Sequence, residues 1–385
     1  MNNRPYDCRD SNNPYLINTN QKEQIIGPEG EQLSAEYIWN KRGKDRKDLV
    51  DWVFNYYRKS GFPSLKLSDK ILKNAFNSIK KIKSNSVLNE EGYIKNTSST
   101  GTNIIKHFCG EKYYGSKLGK SRSTYDVFIN DDLLMKVLKN RMGWCQSGED
   151  GTKRPYVFGI TDKMILQGIR SSGLSINVSQ FKPAVAKFLY NKYVPDNGKV
   201  FDYSAGWGAR LLGAMSLGLE YYGTDPHTYK ELNNILEYYG GKGRIFDQCS
   251  EDSNFYHLIP NVDFVMSSPP YFNLEIYCDE SSQSYNRHDN YEKWLNDYWK
   301  ETVYNSIGLL NANGKFCFIA VGQVGKMNLY QDMLNICTNI GLKVEEELCF
   351  KTSNSHLSGK RKTKKVTKIT EKVCVLNLNS IDFSS

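Results

Sequence analysis

No stretch of this 385-residue chain holds the roughly 20 consecutive apolar residues a helix needs to cross a bilayer, which argues against a membrane protein. The N-terminal sequence MNNRPYDCRDSNNPYLINTNQKEQ contains no apolar segment of the secretory-signal kind, so a cytoplasmic location is expected, within a bacterial host if the gene is a phage's. Cysteine patterning is missing too: the nine cysteines are odd in number and include no CxxC pair. They read as reduced thiols that pack as small hydrophobes, which excludes a disulfide scaffold and a zinc framework. The five histidines, His107, His227, His257, His288 and His356, show no ligand spacing, so no metal is expected. Internal repeats are absent as well.

What remains is a globular composition, 39% hydrophobic and 24% charged, with a length that suits two or three domains. The abundance of Lys, Asn, Ile and Tyr fits an AT-rich genome such as that of a phage or a low-GC bacterium. The charge is uneven. Residues 41–83 carry +9 and residues 351–372 carry +7, which leaves −7 elsewhere in a chain of net +9. A mildly acidic body with two basic patches favours a polyanionic partner.

Residues 1–35 are polar and aperiodic and read as an extended or partly disordered arm. Residues 36–173 read as a basic, mainly helical domain for nucleic-acid or target recognition. Its helices are expected over Glu36–Ser60, from Asp69 with Ile71, Leu72, Ala75, Phe76 and Ile79 on one face, and over Asp131–Arg141. The Gly-, Ser-, Thr- and Lys-rich stretch 94–123 reads as a loop. From residue 174 to 385, strands and helices alternate. Strands are expected at Lys199–Asp202, Glu220–Gly223, Arg244–Phe246, Val262–Met266 and Lys315–Val321, with a terminal hairpin of Lys343–Lys351 and Lys372–Leu378. That order implies an α/β fold, a mainly parallel Rossmann-like sheet covered on both faces.

Two strand ends carry chemistry. The first strand runs into Asp202-Tyr203-Ser204-Ala205-Gly206-Trp207-Gly208, where Gly206 and Gly208 permit a tight turn and close approach of a ligand. Asp202 is a candidate acceptor for a ligand ammonium or hydroxyl. The second strand ends in Asp225, placed to take both hydroxyls of a ribose. Leu211 occupies the third glycine position of the dinucleotide fingerprint, so a nucleoside without a pyrophosphate, such as S-adenosylmethionine, fits better than NAD. Ser250, Glu251 and Asp252 follow the third strand, where a polar side chain can meet an adenine amine, although a solvated loop has the same composition.

The fourth strand ends in Ser268-Pro269-Pro270-Tyr271-Phe272. The prolines fix φ, remove two amide donors and leave rigid carbonyls at the strand end. With the Ser268 hydroxyl and the Tyr271 ring, these parts suit holding a planar aromatic amine while its lone pair meets an electrophilic methyl group. Positioning supplies most of the rate, and no strong base is required.

On these residues, the chain over 174–379 resembles the class I S-adenosylmethionine-dependent DNA amino-methyltransferases, which make N6-methyladenine or N4-methylcytosine with a [DNS]PP[YF] motif. The resemblance implies S-adenosylmethionine as cofactor, bound by Asp202, Gly206, Gly208, Asp225 and Glu251 or Asp252. Phe181 and Pro183, in Ser179-Gln180-Phe181-Lys182-Pro183, would meet its methionine end, and Ser268, Pro269, Pro270 and Tyr271 would be catalytic. Serine in the first motif position tilts slightly toward cytosine N4, and the lack of a Pro-Cys nucleophile excludes cytosine C5 chemistry.

The partner is therefore expected to be DNA, with the target base flipped out of the stack. Tyr271 and Phe272 would sandwich the base, and Tyr277, Tyr285 and Arg287 would close over it. Lys360, Arg361, Lys362, Lys364 and Lys365 are candidates for phosphate contact, as are Lys41, Arg42, Arg46 and Lys47. RNA is the alternative substrate. A nucleic-acid-binding protein that keeps the fold without activity is the alternative of another class.

Overall fold

The computed structural model describes residues 16–19, 22–95, 98–143, 145–147, 153–155, 159–351 and 371–378. The chain forms two compact units, Met1–Ser68 with Gly110–Val178, and Asp69–Cys109 with Ser179–Ser385.

The second unit is built on one eight-stranded sheet. Its strands are β1 (Ile94–Lys95), β2 (Lys199–Asp202), β3 (Glu220–Thr224), β4 (Lys242–Phe246), β5 (Val262–Ser267), β6 (Leu310–Val321), β7 (Leu342–Lys351) and β8 (Glu371–Leu378). Their spatial order is β1-β7-β8-β6-β5-β2-β3-β4. Neighbours from β6 through β4 run parallel, while β8 lies antiparallel between β6 and β7. This is the α/β, Rossmann-like sheet with a C-terminal hairpin that the sequence predicts. Strands β2 and β5 and the Phe316–Val321 part of β6 are buried and mainly apolar, as a sheet covered on both faces requires.

The helices that pack in this unit include α1 (Asp69–Lys80), α2 (Thr102–Phe108), α3 (Pro183–Tyr193), α4 (Ala209–Met215), α5 (Tyr229–Tyr238) and α6 (Leu329–Asn339). The helix that begins at Tyr291 is interrupted by a π-helical stretch, Trp294–Lys300, before it resumes over Glu301–Ile307. Trp294 and Trp299 are both buried there in an aromatic core with Phe316 and Phe318 of β6.

Segment 69–109 is where the sequence boundary at 173/174 and the structure differ. Helix α1 buries Leu72, Phe76 and Ile79, and Phe76 stacks on Tyr239 at 4.4 Å. The buried Lys187 ammonium of α3 donates to the carbonyls of Ile79, Lys80 and Ile82 at 3.2, 2.7 and 2.9 Å, satisfying the C-terminus of α1. The stretch read as a loop, 94–123, is in part helical. Ile104 and Ile105 of α2 are fully buried, so packing overrides a loop-like composition.

The first unit is mainly helical, as expected. The span Glu36–Ser60 is two helices, Ala35–Asn40 and Gly43–Ser60, parted by Lys41 and Arg42. Helix Asp131–Gly143 matches its sequence signal. The arm expected over 1–35 is ordered where described: Leu16–Thr19 pairs with Lys22–Ile25, and Ile25 and Leu33 are completely buried. Among the described residues, no helix is long and apolar enough to cross a membrane.

Candidate active site

Strand order reverses between β2 and β5. One run proceeds β2-β3-β4 and the other β5-β6, so a crevice opens at the carboxyl ends where the two diverge, the place open α/β sheets bind ligands. A cavity of about 150 Å³ lies there. It is lined by Tyr203, Ser204, Ala205, Gly206 and Trp207 after β2, and by Thr224 and Asp225 at the end of β3. Ser268, Pro270 and Tyr271 after β5 line it as well, so both strand-end motifs read from the sequence share one wall.

The glycines act differently. Gly208 has φ +87° and opens α4, and a Cβ there would stand 2.7 Å from Leu232 Cδ2, so it serves helix packing. Gly206 has φ +58°, and its Cβ would meet nothing closer than 3.8 Å. Gly206 also lines the cavity, so the bare backbone there leaves open space beside it.

Asp225 is half-buried on the wall. Its Oδ2 accepts from the Gly206 amide at 2.9 Å, and its Oδ1 from the His227 and Thr228 amides at 3.0 and 2.8 Å. Burial pushes its pKa up, and these amide donors and His227 pull it down. Three of a carboxylate's roughly four acceptor positions are thus used, which leaves capacity for a hydroxyl.

Asp202 does not line the cavity. It is fully buried; its Oδ2 takes the Arg210 Nε–H at 2.7 Å and the Tyr221 hydroxyl at 2.6 Å, and its Oδ1 takes the Ser204 amide at 3.2 Å. Arg210 in turn donates to the Ser204 carbonyl and stands 5.3 Å from the centre of the Phe181 ring. The acid that the sequence offers as a ligand contact is a strut: it holds the guanidinium that shapes the turn and braces Phe181.

Phe181 lines the cavity and Pro183 does not; Pro183 is the first residue of α3. Glu251 lines it, whereas Asp252 faces Arg287, which binds it with Nη2 2.9 Å from Oδ1 and Nη1 3.2 Å from Oδ2. Arg287 also approaches Glu251 at 3.2 Å, and His288 lies 3.5 Å from the same oxygen. Arg287 is therefore spent on these acids rather than free to close over a base.

In the catalytic motif, Pro269 is off the cavity. Phe272 is buried with φ +50°, a left-handed conformation costly for an aromatic residue, and its ring packs near Tyr291 and Trp294 at 5.9 and 6.3 Å. It does not flank the cavity, and the strained turn instead sets the direction of Tyr271 just before it. The Tyr271 ring is largely covered, only 3% exposed. Its hydroxyl is 3.2 Å from Ser268 Oγ and donates to Glu371 Oε1 at 3.2 Å.

Some cavity residues, Glu275 and Glu371 among them, are not marked by the sequence motifs. Glu275 and Tyr277 follow the catalytic motif, and Tyr277 donates to Glu275 Oε2 at 2.8 Å and meets Trp207 edge-on. Glu371 arrives from β8. Gln180 is 8% exposed, and its amide nitrogen has no hydrogen-bond partner among the described residues. His227, Cys278 and Glu280 bring donor atoms within 4.8 Å of one another at the rim. Burial pushes the Cys278 thiol up to about 12, so it stays protonated, and His227 Nδ1 faces Glu280 at 3.3 Å.

The cationic candidates divide. Lys360, Arg361, Lys362, Lys364 and Lys365 lie outside the described residues. Lys41 pairs with Glu29 at 3.5 Å and sits over Tyr37, and the Arg42 guanidinium lies over Trp39. Arg46 is half-buried and reaches the Trp39 carbonyl at 3.4 Å; Lys47 is exposed. Tyr56 and Tyr57 are buried in the helical core rather than displayed among the cations.

No family model and no curated protein matches the chain. Among solved structures it is similar to a TehB-like S-adenosylmethionine-dependent methyltransferase from Corynebacterium glutamicum, with 15% identity, 55% of this chain and 94% of that one covered, and a TM-score of 0.35. It is similar to Aeropyrum pernix fibrillarin with natively bound S-adenosylmethionine, with 9% identity, 48% and 68% covered, and a TM-score of 0.32. It is also similar to the Burkholderia thailandensis 1,6-didemethyltoxoflavin-N1-methyltransferase, with 9% identity, 50% and 75% covered, and a TM-score of 0.35. Likeness at this level lends neither substrate nor mechanism to this chain.

Proposed function

We propose that the protein is an S-adenosylmethionine-dependent methyltransferase acting on an exocyclic amine of a DNA base, adenine N6 or cytosine N4. The observation that carries the reading is the shared cavity: the glycine turn with Asp225 and the Ser268-Pro-Pro-Tyr271 motif open onto one crevice at the switch point of the sheet.

The cavity suits the cofactor chemically. Among the described residues, Asp225, Glu251, Glu275 and Glu371 line it together with the Arg210 guanidinium, an excess of acidic groups that favours a cation such as a sulfonium. Gly206 leaves room, Asp225 keeps acceptor capacity for a ribose hydroxyl, and the Gln180 amide, without a partner among the described residues, is a donor for a carboxylate. When bound, S-adenosylmethionine supplies an electrophilic methyl group. The chain's own residues orient the nucleophile: Ser268 Oγ and the carbonyls of the proline turn accept amine hydrogens, and Tyr271 and Trp207 bound the space. Since the Tyr271 ring is covered, the base meets it edge-first at the hydroxyl unless the segment 273–290 draws back.

For target grip we assign the exposed Arg42 and Lys47 of the first unit and the lysine-rich segment 360–365, with RNA as the alternative polymer. Mass spectrometry of nucleosides from DNA and RNA of cells with and without the expressed protein tests the reading. N6-methyladenine or N4-methylcytosine in DNA, lost with Tyr271→Ala, is the expected result. A methylated base found only in RNA overturns the DNA assignment, and none in either polymer overturns the function.

A further inference from the structure

Beside the proline turn stand two carboxylates that the motif does not contain. Glu275 follows Tyr271 in the chain, and Glu371 comes from the far strand of the terminal hairpin; both line the cavity. A chain of contacts links them to the motif. Ser268 Oγ lies 3.2 Å from the Tyr271 hydroxyl, which donates to Glu371 Oε1 at 3.2 Å, while Tyr277 donates to Glu275 Oε2 at 2.8 Å. The Tyr271 backbone amide also faces Glu275. Also lining the cavity, the buried Gln180 amide, without a hydrogen-bond partner among the described residues, independently marks it as built for a polar ligand.

Resting on the methyltransferase reading above, we propose that Glu275, poised by Glu371, is a catalytic residue that accepts a hydrogen of the target amine and takes its proton after methyl transfer. The serine at the first motif position is a hydroxyl and carries no charge, so it cannot serve as that proton's destination at neutral pH. The balance is complete. The amine lone pair forms the nitrogen–carbon bond as the carbon–sulfur bond breaks, with its electron pair left on sulfur. The resulting ammonium nitrogen then gives one proton to the Glu275 carboxylate, which releases it to solvent.

Glu371 is a positioning residue. Two carboxylates sharing a desolvated wall disfavour each other's charge. Burial, then the Glu371 charge, pushes Glu275 up to about 7, against the opposing hydrogen bonds of Tyr277 and the Tyr271 amide. Glu371 is raised by burial too, and relieved by Tyr271. Among the described residues, the Arg210 guanidinium acts on Tyr277 at this end of the cavity. A base whose pKa sits near working pH combines an available charged form with enough basicity to hold a proton.

The test is single-turnover transfer from labelled S-adenosylmethionine to random-sequence duplex DNA, and in parallel to total tRNA, across pH 5.5 to about 9. For the wild type, the rate should fall about tenfold per pH unit below about 7. Glu275→Gln should lose roughly 10²-fold or more at pH 8 and flatten that limb. Glu371→Gln should keep the limb but move its midpoint downward, since the like charge is gone. Both variants should bind S-adenosylhomocysteine as the wild type does. Wild-type transfer with an unchanged rate and profile in Glu275→Gln overturns this role alone. Loss of both transfer and S-adenosylhomocysteine binding in Glu275→Gln also overturns it, in favour of a structural part. No transfer by the wild type to either polymer overturns the methyltransferase reading, and this role falls with it.

Discussion

Replacing Asp202 by Asn tests whether that acid is a strut or a ligand. The carboxylate is fully buried, with Oδ2 held by Arg210 Nε at 2.7 Å and Tyr221 OH at 2.6 Å. Asn keeps the shape but removes the charge, and in one orientation its NH₂ group faces two donors. In the other it turns a donor toward the Ser204 amide. Either way the Arg210 guanidinium, whose pKa the Asp202 charge and hydrogen bond raise against the cost of burial, is left as an uncompensated buried cation. Removing one partner of a buried pair costs about 3–5 kcal/mol, a large share of the roughly 5–15 kcal/mol by which a domain is stable.

Urea unfolding followed by circular dichroism reads this directly. With a slope of about 2 kcal/mol per molar, the midpoint should fall by about 1.5–2.5 M. Removing both charges, as Asp202→Leu with Arg210→Met, should restore most of that loss, because a well-packed apolar pair replaces a desolvated ionic one without leaving a lone charge. In Asp202→Asn under native conditions, S-adenosylhomocysteine binding should weaken only through looser seating of Ser204 and Phe181. A variant with the wild-type urea midpoint and abolished binding would refute the reasoning and return Asp202 to the cavity as a direct contact.

The glycines of the same turn should separate stability from binding. Gly208→Ala meets Leu232 at 2.7 Å at a φ of +87° and should cost roughly 2–4 kcal/mol in unfolding. Gly206→Ala meets nothing within 3.5 Å, so its stability loss should stop at the roughly 1–2 kcal/mol of the left-handed backbone, while S-adenosylhomocysteine affinity falls by calorimetry. Equal effects of the two on both readouts would contradict the division of labour. Replacing Lys360, Arg361, Lys362, Lys364 and Lys365 with Ala should reduce the slope of log K against log salt for duplex DNA by up to about 4.5, and an unchanged slope removes that segment from the interface.

The architecture was legible because sheet strands announce themselves twice, as short apolar runs and as the residues that end them. Asp225, Ser268, Pro270 and Tyr271, which line the cavity, stand out in the sequence because a carboxylate or a double proline at a strand end is a conspicuous local signal. Glu371 could not be found this way. It follows Tyr271 by 100 residues and reaches it only because β8 threads between β6 and β7, a register set by the whole hairpin. Gln180 is ordinary as a letter and informative only once its amide is seen buried without a partner.

Asp202 shows the reverse failure. The same residue type at the same strand end as Asp225 is withdrawn from the cavity by Arg210, in the first turn of the next helix and eight residues away, and by Tyr221 from the neighbouring strand. A sequence motif names side chains able to reach a ligand, but a buried counter-charge decides which of them is left free to do so. By that criterion the charge of this site has moved from the acid of the glycine turn toward Asp225 on one side and Glu275 with Glu371 on the other. The cavity thus carries an acceptor with spare capacity, Asp225, after β3 and a pair of acids, Glu275 and Glu371, beside the Ser268–Tyr271 turn.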